Sequence, residues 1–255
     1  MFNWSAFTLF LYMVMRMSGF VMFNPFFARN NIPTMFQAGF IGLMSVSMYY
    51  LYDGRVAMPG TLVEFAVHLV LELGLGYLVA LTMHLFFYIV DQGGEVLSTQ
   101  MGLSMAKNYD PSSQSQQTTM SNLLTILMYL LFLAGNGHIT LLRLMLVSGE
   151  VVPFGTVRLG EAVAERVMEL FVECALLGVK LCLPILGAEL IGQFGMGILM
   201  KVIPQINVFS LNIELKVIIG LVILMFLVSP IGQYLLEAEK TMLMEIRQAM
   251  ALAGG

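Results

Sequence analysis

The chain has 255 residues, 58% hydrophobic and 11% charged, with a formal net charge of −4. Soluble domains carry roughly 25% charged residues, so a soluble globular protein is excluded and a mean hydropathy of +0.85 defines an integral membrane protein. The thin acidic balance argues against nucleic acid as a partner, and continuous apolar runs argue against a β-barrel, whose strands alternate.

One all-α polytopic domain over residues 1–255 is therefore expected. The N-terminus has neither a basic leader nor a small-residue cleavage site, so Ser5–Phe23 reads as a retained first helix, apolar except for Arg16. Asn24-Pro25 ends it, and Ala28–Pro33 is a polar turn. A second helix is predicted over Phe36–Tyr52, followed by a loop at Asp53–Gly60. Thr61–Val90 then runs thirty residues without a breaker, about 45 Å at 1.5 Å per residue. A hydrocarbon core is only about 30 Å thick, so this helix either tilts or projects beyond it.

Residues 91–122, DQGGEVLSTQMGLSMAKNYDPSSQSQQTTMSN, form the longest polar, glycine-punctuated interruption. Non-helical backbone cannot face lipid, because unsatisfied amide groups cost several kcal/mol each. The stretch is expected at the surface, against protein, or in a water-filled passage. Two short helices follow, Leu123–Ala134 and Ile139–Val147, separated by Gly135-Asn136-Gly137-His138. Neither half spans a membrane alone. Glu161–Leu183 is predicted to kink or break at Pro184, and Ile185–Ile203 to break at Pro204-Gln205. Leu211–Val228 is the last apolar segment; beyond Pro230, residues 231–255 read as an amphipathic tail. Lysine and arginine do not cluster in alternate loops, so charge gives no orientation.

Several polar groups invite two readings. Glu161, Glu165, Glu169 and Glu173 recur every four residues. They mark either a helix lying partly outside the bilayer, with Arg158 and Arg166 as local partners, or an acidic lining of a passage. Glu64, His68 and Glu72 share one helical face, a spacing that could offer metal ligands or hydrogen bonds between helices or subunits. Without a fourth ligand candidate the second reading is adopted, and no metal or cofactor is expected. Cys174 and Cys182 read as packing residues, and the 22 methionines as gap-fillers of the helix interfaces. There is no P-loop, HExxH or GxSxG motif, so no enzyme is expected. An ion-coupled secondary transporter, using Asp91 and the glutamate face, is the alternative that the composition leaves open.

The motifs go further. Gln100-Met101-Gly102-Leu103-Ser104 followed by Asp110-Pro111, then Leu131-Phe132-Leu133 before Asn136-Gly137-His138, resemble the signature of the FliR family of flagellar type III export. The resemblance covers nearly the whole chain: Pro25 and Ile32-Pro33, then Glu72, Gly76 and Gly94-Glu95, then Pro153, Leu183-Pro184, Pro204 through Phe209, Lys216 and Gly220. The chain departs from the family pattern at Gln37, near the place of an arginine, and at Glu214, where a proline is usual.

The resemblance implies long, bent and broken helical hairpins packed in a helical hetero-oligomeric export gate in the bacterial inner membrane, at the flagellar basal body. It implies FliP-type, FliQ-type and FlhB-type subunits as partners and unfolded flagellar export substrates in transit. A gating loop is expected from Gln100, Met101, Gly102, Ser104, Asn108, Asp110 and Pro111, hinged at Gly93, Gly94 and Gly102. Subunit packing is expected from Glu72, Gly76 and Ala80, which share one helical face. The same role is assigned to Asn136, Gly137 and His138, and to Pro184, Pro204, Gln205, Asn207 and Phe209.

Overall fold

The computed structural model describes residues 4–27, 32–54, 56, 58–103, 118–202 and 208–254, without side-chain detail at 199, 200 and 208–213. The described residues are helical, in eight elements and no strand: α1 (Trp4–Phe23), α2 (Thr34–Leu51), α3 (Leu62–Gln100), α4 (Thr119–Ala134), α5 (Gly137–Leu146), α6 (Ser148–Val151), α7 (Glu161–Val202) and α8 (Val208–Ala253). Among the described residues, four helices are long and apolar enough to cross a membrane: α1, α3, and the stretches Glu161–Ile198 and Glu214–Ala253. Counting the bent pair α4–α5 as one span makes five.

Local chemistry sets most boundaries. Asn24 stops α1 by accepting the Phe26 N–H on its side-chain oxygen at 2.8 Å, as Asx turns do. Pro33 stands immediately before α2 with φ −59°, where its missing N–H costs nothing. Gln37, one of the two departures from the family pattern, donates its Nε2 to the Phe27 carbonyl at 2.8 Å and ties α2 to the turn before it. Thr61 accepts the Glu64 N–H at 3.2 Å while Glu64 accepts the Gly60 N–H at 2.7 Å. This reciprocal arrangement starts α3 in the manner of a capping box.

Three expectations are corrected. The helix begun at Leu62 does not end at Val90 but continues through Gly93 and Gly94 to Gln100, and α4 begins at Thr119 instead of Leu123. The polar interruption therefore shrinks from 91–122 to the residues between these two helices. Pro184 lies inside α7 and Pro230 inside α8, and neither breaks its helix. A proline removes one donor and crowds one carbonyl. Ending the helix in an apolar setting would expose several unpaired groups instead, so continuation wins.

The packing resolves into two compact units. The first comprises Met1–Phe86, Asn136–Phe171 and Glu239–Gly255; the second comprises Phe87–Gly135 and Val172–Ala238. In the first, α1 packs on α2, and Tyr12, Met17, Phe20, Leu75, Met83, Met145, Phe154 and Met242 form a dry interior. In the second, Ile89, Leu97, Met101, Leu124, Met128, Phe132, Cys174 and Leu235 do so. Both cores are rich in methionine, whose unbranched thioether fits irregular gaps between helices. Cys174 and Cys182 are buried and form no disulfide.

Candidate functional site: the anchors of the polar segment

The two ends of the polar segment are built from α3 and α4, inside the second unit. At the end of α3 the Met101 N–H reaches the Leu97 carbonyl at 2.9 Å, and the Gly102 N–H reaches Thr99 at 3.2 Å. Gly102 has φ +74°, the left-handed conformation that closes a helix and that glycine adopts without a Cβ penalty. At the start of α4, Thr118 takes the N-cap and its hydroxyl accepts the Ser121 N–H at 3.4 Å. Substituting such a cap costs about 0.5–2 kcal/mol.

A polar ladder then fastens α4 to α3. The Ser98 hydroxyl accepts the Met120 N–H at 3.1 Å, and Thr118 donates to the Gly94 carbonyl at 3.5 Å. Ser121 donates to Asp91. Ser98 and Ser121 are completely buried, so these bonds form where water does not compete and an unpaired group would be costly.

Gly93 and Gly94, the expected hinges, lie inside α3 at close contacts. A Cβ on Gly94 would overlap the backbone of Ser121, and one on Gly93 would stand 2.8 Å from Leu181. Each glycine costs about 1 kcal/mol against alanine in a helix interior, which this close approach offsets. Gly102 alone of the three has a turn conformation. Gln100 ends α3, Met101 is buried beside Gly102, and Ser104, Asn108, Asp110 and Pro111 lie outside the described residues.

Glu72, Gly76 and Ala80 also change role. Expected to face a neighbouring subunit, Glu72 and Ala80 are fully buried within the first unit. A Cβ on Gly76 would overlap the Arg16 carbonyl oxygen, and one on Gly19 would overlap that of Leu73. Thus α1 and α3 cross backbone to backbone, and the seam is consumed inside the chain. Beside that crossing Arg16 donates from Nε to Glu72 at 2.7 Å, from Nη1 to the Ser148 hydroxyl at 3.0 Å, and from Nη2 to the Val152 carbonyl at 3.1 Å. Its guanidinium carbon lies 4.1 Å from the centroid of the Phe154 ring. The other Glu72 oxygen accepts the Gly155 N–H at 2.8 Å. Both charged side chains are 0% exposed.

This knot was missed in the sequence, where Arg16 reads only as an exception in an apolar helix. The available signal was its isolation: an ionisable residue in an apolar helix requires a partner, and Glu72 is its counterpart. The Tyr12 hydroxyl lies 3.3 Å from His68 Nδ1, so the Glu64–His68–Glu72 face supplies hydrogen bonds between helices. Arg166 pairs with Glu169 at 2.9 Å and Glu245 at 2.7 Å, while Glu161, Glu165, Glu169 and Glu173 are exposed on α7.

Asn136 has φ +58° and precedes α5, where Gly137 is buried; His138 Nδ1 is buried without a hydrogen-bond partner among the described residues. Pro184 lies within α7. Pro204, Gln205 and Asn207 fall outside the described residues, and Phe209 belongs to α8 without side-chain detail.

The helices and their buried polar contacts define a polytopic helical membrane protein. Residues 7–242 match the family of bacterial export proteins, family 1, and the chain belongs to this family, the FliR family. Similar relatives are called flagellar biosynthetic protein FliR. That of Buchnera aphidicola subsp. Baizongia pistaciae is 31% identical over 154 residues, 60% of this chain and 60% of the relative. That of Escherichia coli K12 is 28% identical over 185 residues, 70% of this chain and 69% of the relative. That of Bacillus subtilis 168 is 23% identical over 259 residues, 97% of this chain and 96% of the relative.

Proposed function

We propose that the chain is a subunit of the flagellar type III protein export gate. It forms part of the conduit that carries unfolded flagellar subunits across the inner membrane at the flagellar basal body. FliP-type, FliQ-type and FlhB-type subunits complete the assembly, and the chain guides passage without catalysing a reaction.

The observation that carries this reading is family membership over almost the whole chain, joined to a polar segment whose two ends are fixed to buried helices. The segment Met101–Met120 plugs the resting conduit. Its polarity suits a watery passage and not lipid, and the Gly102 turn closes α3 where the segment begins. The α3–α4 ladder keeps the far end of the segment in place, which a plug requires if it is to reseat after each passage.

Deleting Ser112–Gln116 tests the plug directly. The assembled complex, reconstituted in vesicles, is expected to leak ions and small solutes. Normal assembly with unchanged permeability would sink the plug assignment.

A further inference from the structure

We propose that Met101, seated in a notch at Gly220, is the positioning residue through which α8 holds the C-terminal end of α3, and that this seat separates when the conduit opens. The inference rests on the conduit reading above and adds a contact, Met101 to Gly220, that the reading does not name.

The geometry is specific. Met101 follows the last residue of α3 yet is completely buried, whereas the end of a helix beside a polar segment is ordinarily wet. A Cβ placed on Gly220 would lie 2.5 Å from Met101 Cγ, 2.7 Å from Cε and 3.1 Å from Sδ. Three atoms of one side chain therefore occupy the space that any residue other than glycine would fill. Gly220 sits inside α8, where no turn calls for it and glycine costs about 1 kcal/mol relative to alanine. The missing side chain is what makes room for the methionine.

The two contacts made near the polar segment differ in kind. Gly94 meets the backbone of Ser121, and three hydrogen bonds reinforce that contact. Such a contact has no soft coordinate along which to yield. The Met101 seat is apolar, and an unbranched thioether with three rotatable bonds can leave it by changing rotamer. One contact is fixed and the other is releasable, and the releasable one is made to α8.

Cross-linking tests this in the assembled complex. Met101→Cys and Gly220→Cys are combined in a chain whose Cys174 and Cys182 are replaced by alanine. The seat is close enough that the two Cβ atoms fall near the roughly 3.5–4.5 Å that a disulfide needs. Under oxidant the pair is expected to cross-link in the resting complex. Export in cells should fall at least tenfold and recover on reduction. Failure to cross-link in the assembled complex, or full cross-linking with normal export, would overturn the seat.

A second arm uses volume. Gly220→Ala has to displace Met101 Cγ, close to its backbone, and is expected to raise the resting leak several-fold. Met101→Ala combined with Gly220→Ala should return the leak to the wild-type level. Equal leakage of the single and double variants would count against positioning by Met101. Because the cross-link and its block of export are read without reference to the plug, a failed Ser112–Gln116 deletion removes the plug alone.

Discussion

The two units differ less in their surfaces than in how they treat buried charge. Both expose large apolar side chains, Met35 and Tyr50 in the first and Phe194 and Phe226 in the second, as a protein surrounded by lipid or other subunits does. In the first unit Arg16 and Glu72 answer each other, and the hydrogen bonds of the pair reach α6 and the residues that follow it. In the second, Glu189 is 1% exposed, and its Oε1 has no hydrogen-bond partner among the described residues. A buried pair is costly to break but adds little net stability, whereas a carboxylate oxygen without a hydrogen bond adds nothing that its removal could forfeit. In the first unit two fully buried charges answer each other, and in the second a buried carboxylate keeps one oxygen without a hydrogen bond among the described residues.

The strongest way to break this comparison is Glu72→Ala, which leaves the Arg16 guanidinium buried without a counter-charge. A loss of about 3–5 kcal/mol is expected, read as a fall in melting temperature of the detergent-purified complex and in its yield. Arg16→Met combined with Glu72→Leu should recover most of that loss, since apolar residues of similar volume replace such pairs well. Next comes Gly76→Ala, whose methyl group meets backbone and not a yielding side chain. About 1–3 kcal/mol of overpacking is expected, accompanied by loosening of α1 that limited proteolysis would detect. The smallest effect belongs to Glu189→Gln, with stability within about 1 kcal/mol of the parent chain or above it. A drop as large as that of Glu72→Ala would erase the distinction between the units.

How legible each part was depends on how far apart its causes lie in the chain. The end of α1 and the start of α2 were readable because Asn24, Pro25 and Pro33 act on their own neighbours. The end of α3 was misread because Gly93-Gly94 is locally a break signal, while the residue that makes it a packing site, Ser121, arrives a full helix later. Of the kink or break expected at Pro184, the break does not occur, for a related reason: the penalty is local, but the cost of stopping a helix is set by the apolar surroundings. The Arg16–Glu72 pair joins residues 56 apart, and nothing in either helix alone names the other. The shared face of Glu72, Gly76 and Ala80 was legible as a packing surface. Its occupant was not, because a small-residue seam accepts a helix of its own chain as readily as a foreign one.

The crossing of α1 and α3 at Gly19 and Gly76 has a consequence for the bilayer. Where two backbones touch, no acyl chain can enter between them. The environment of Arg16 is then composed of protein atoms whatever lipid surrounds the chain. Changes in fatty-acid length or unsaturation, as bacteria make on cooling or heating, reach the outer faces of these helices but not the charge between them.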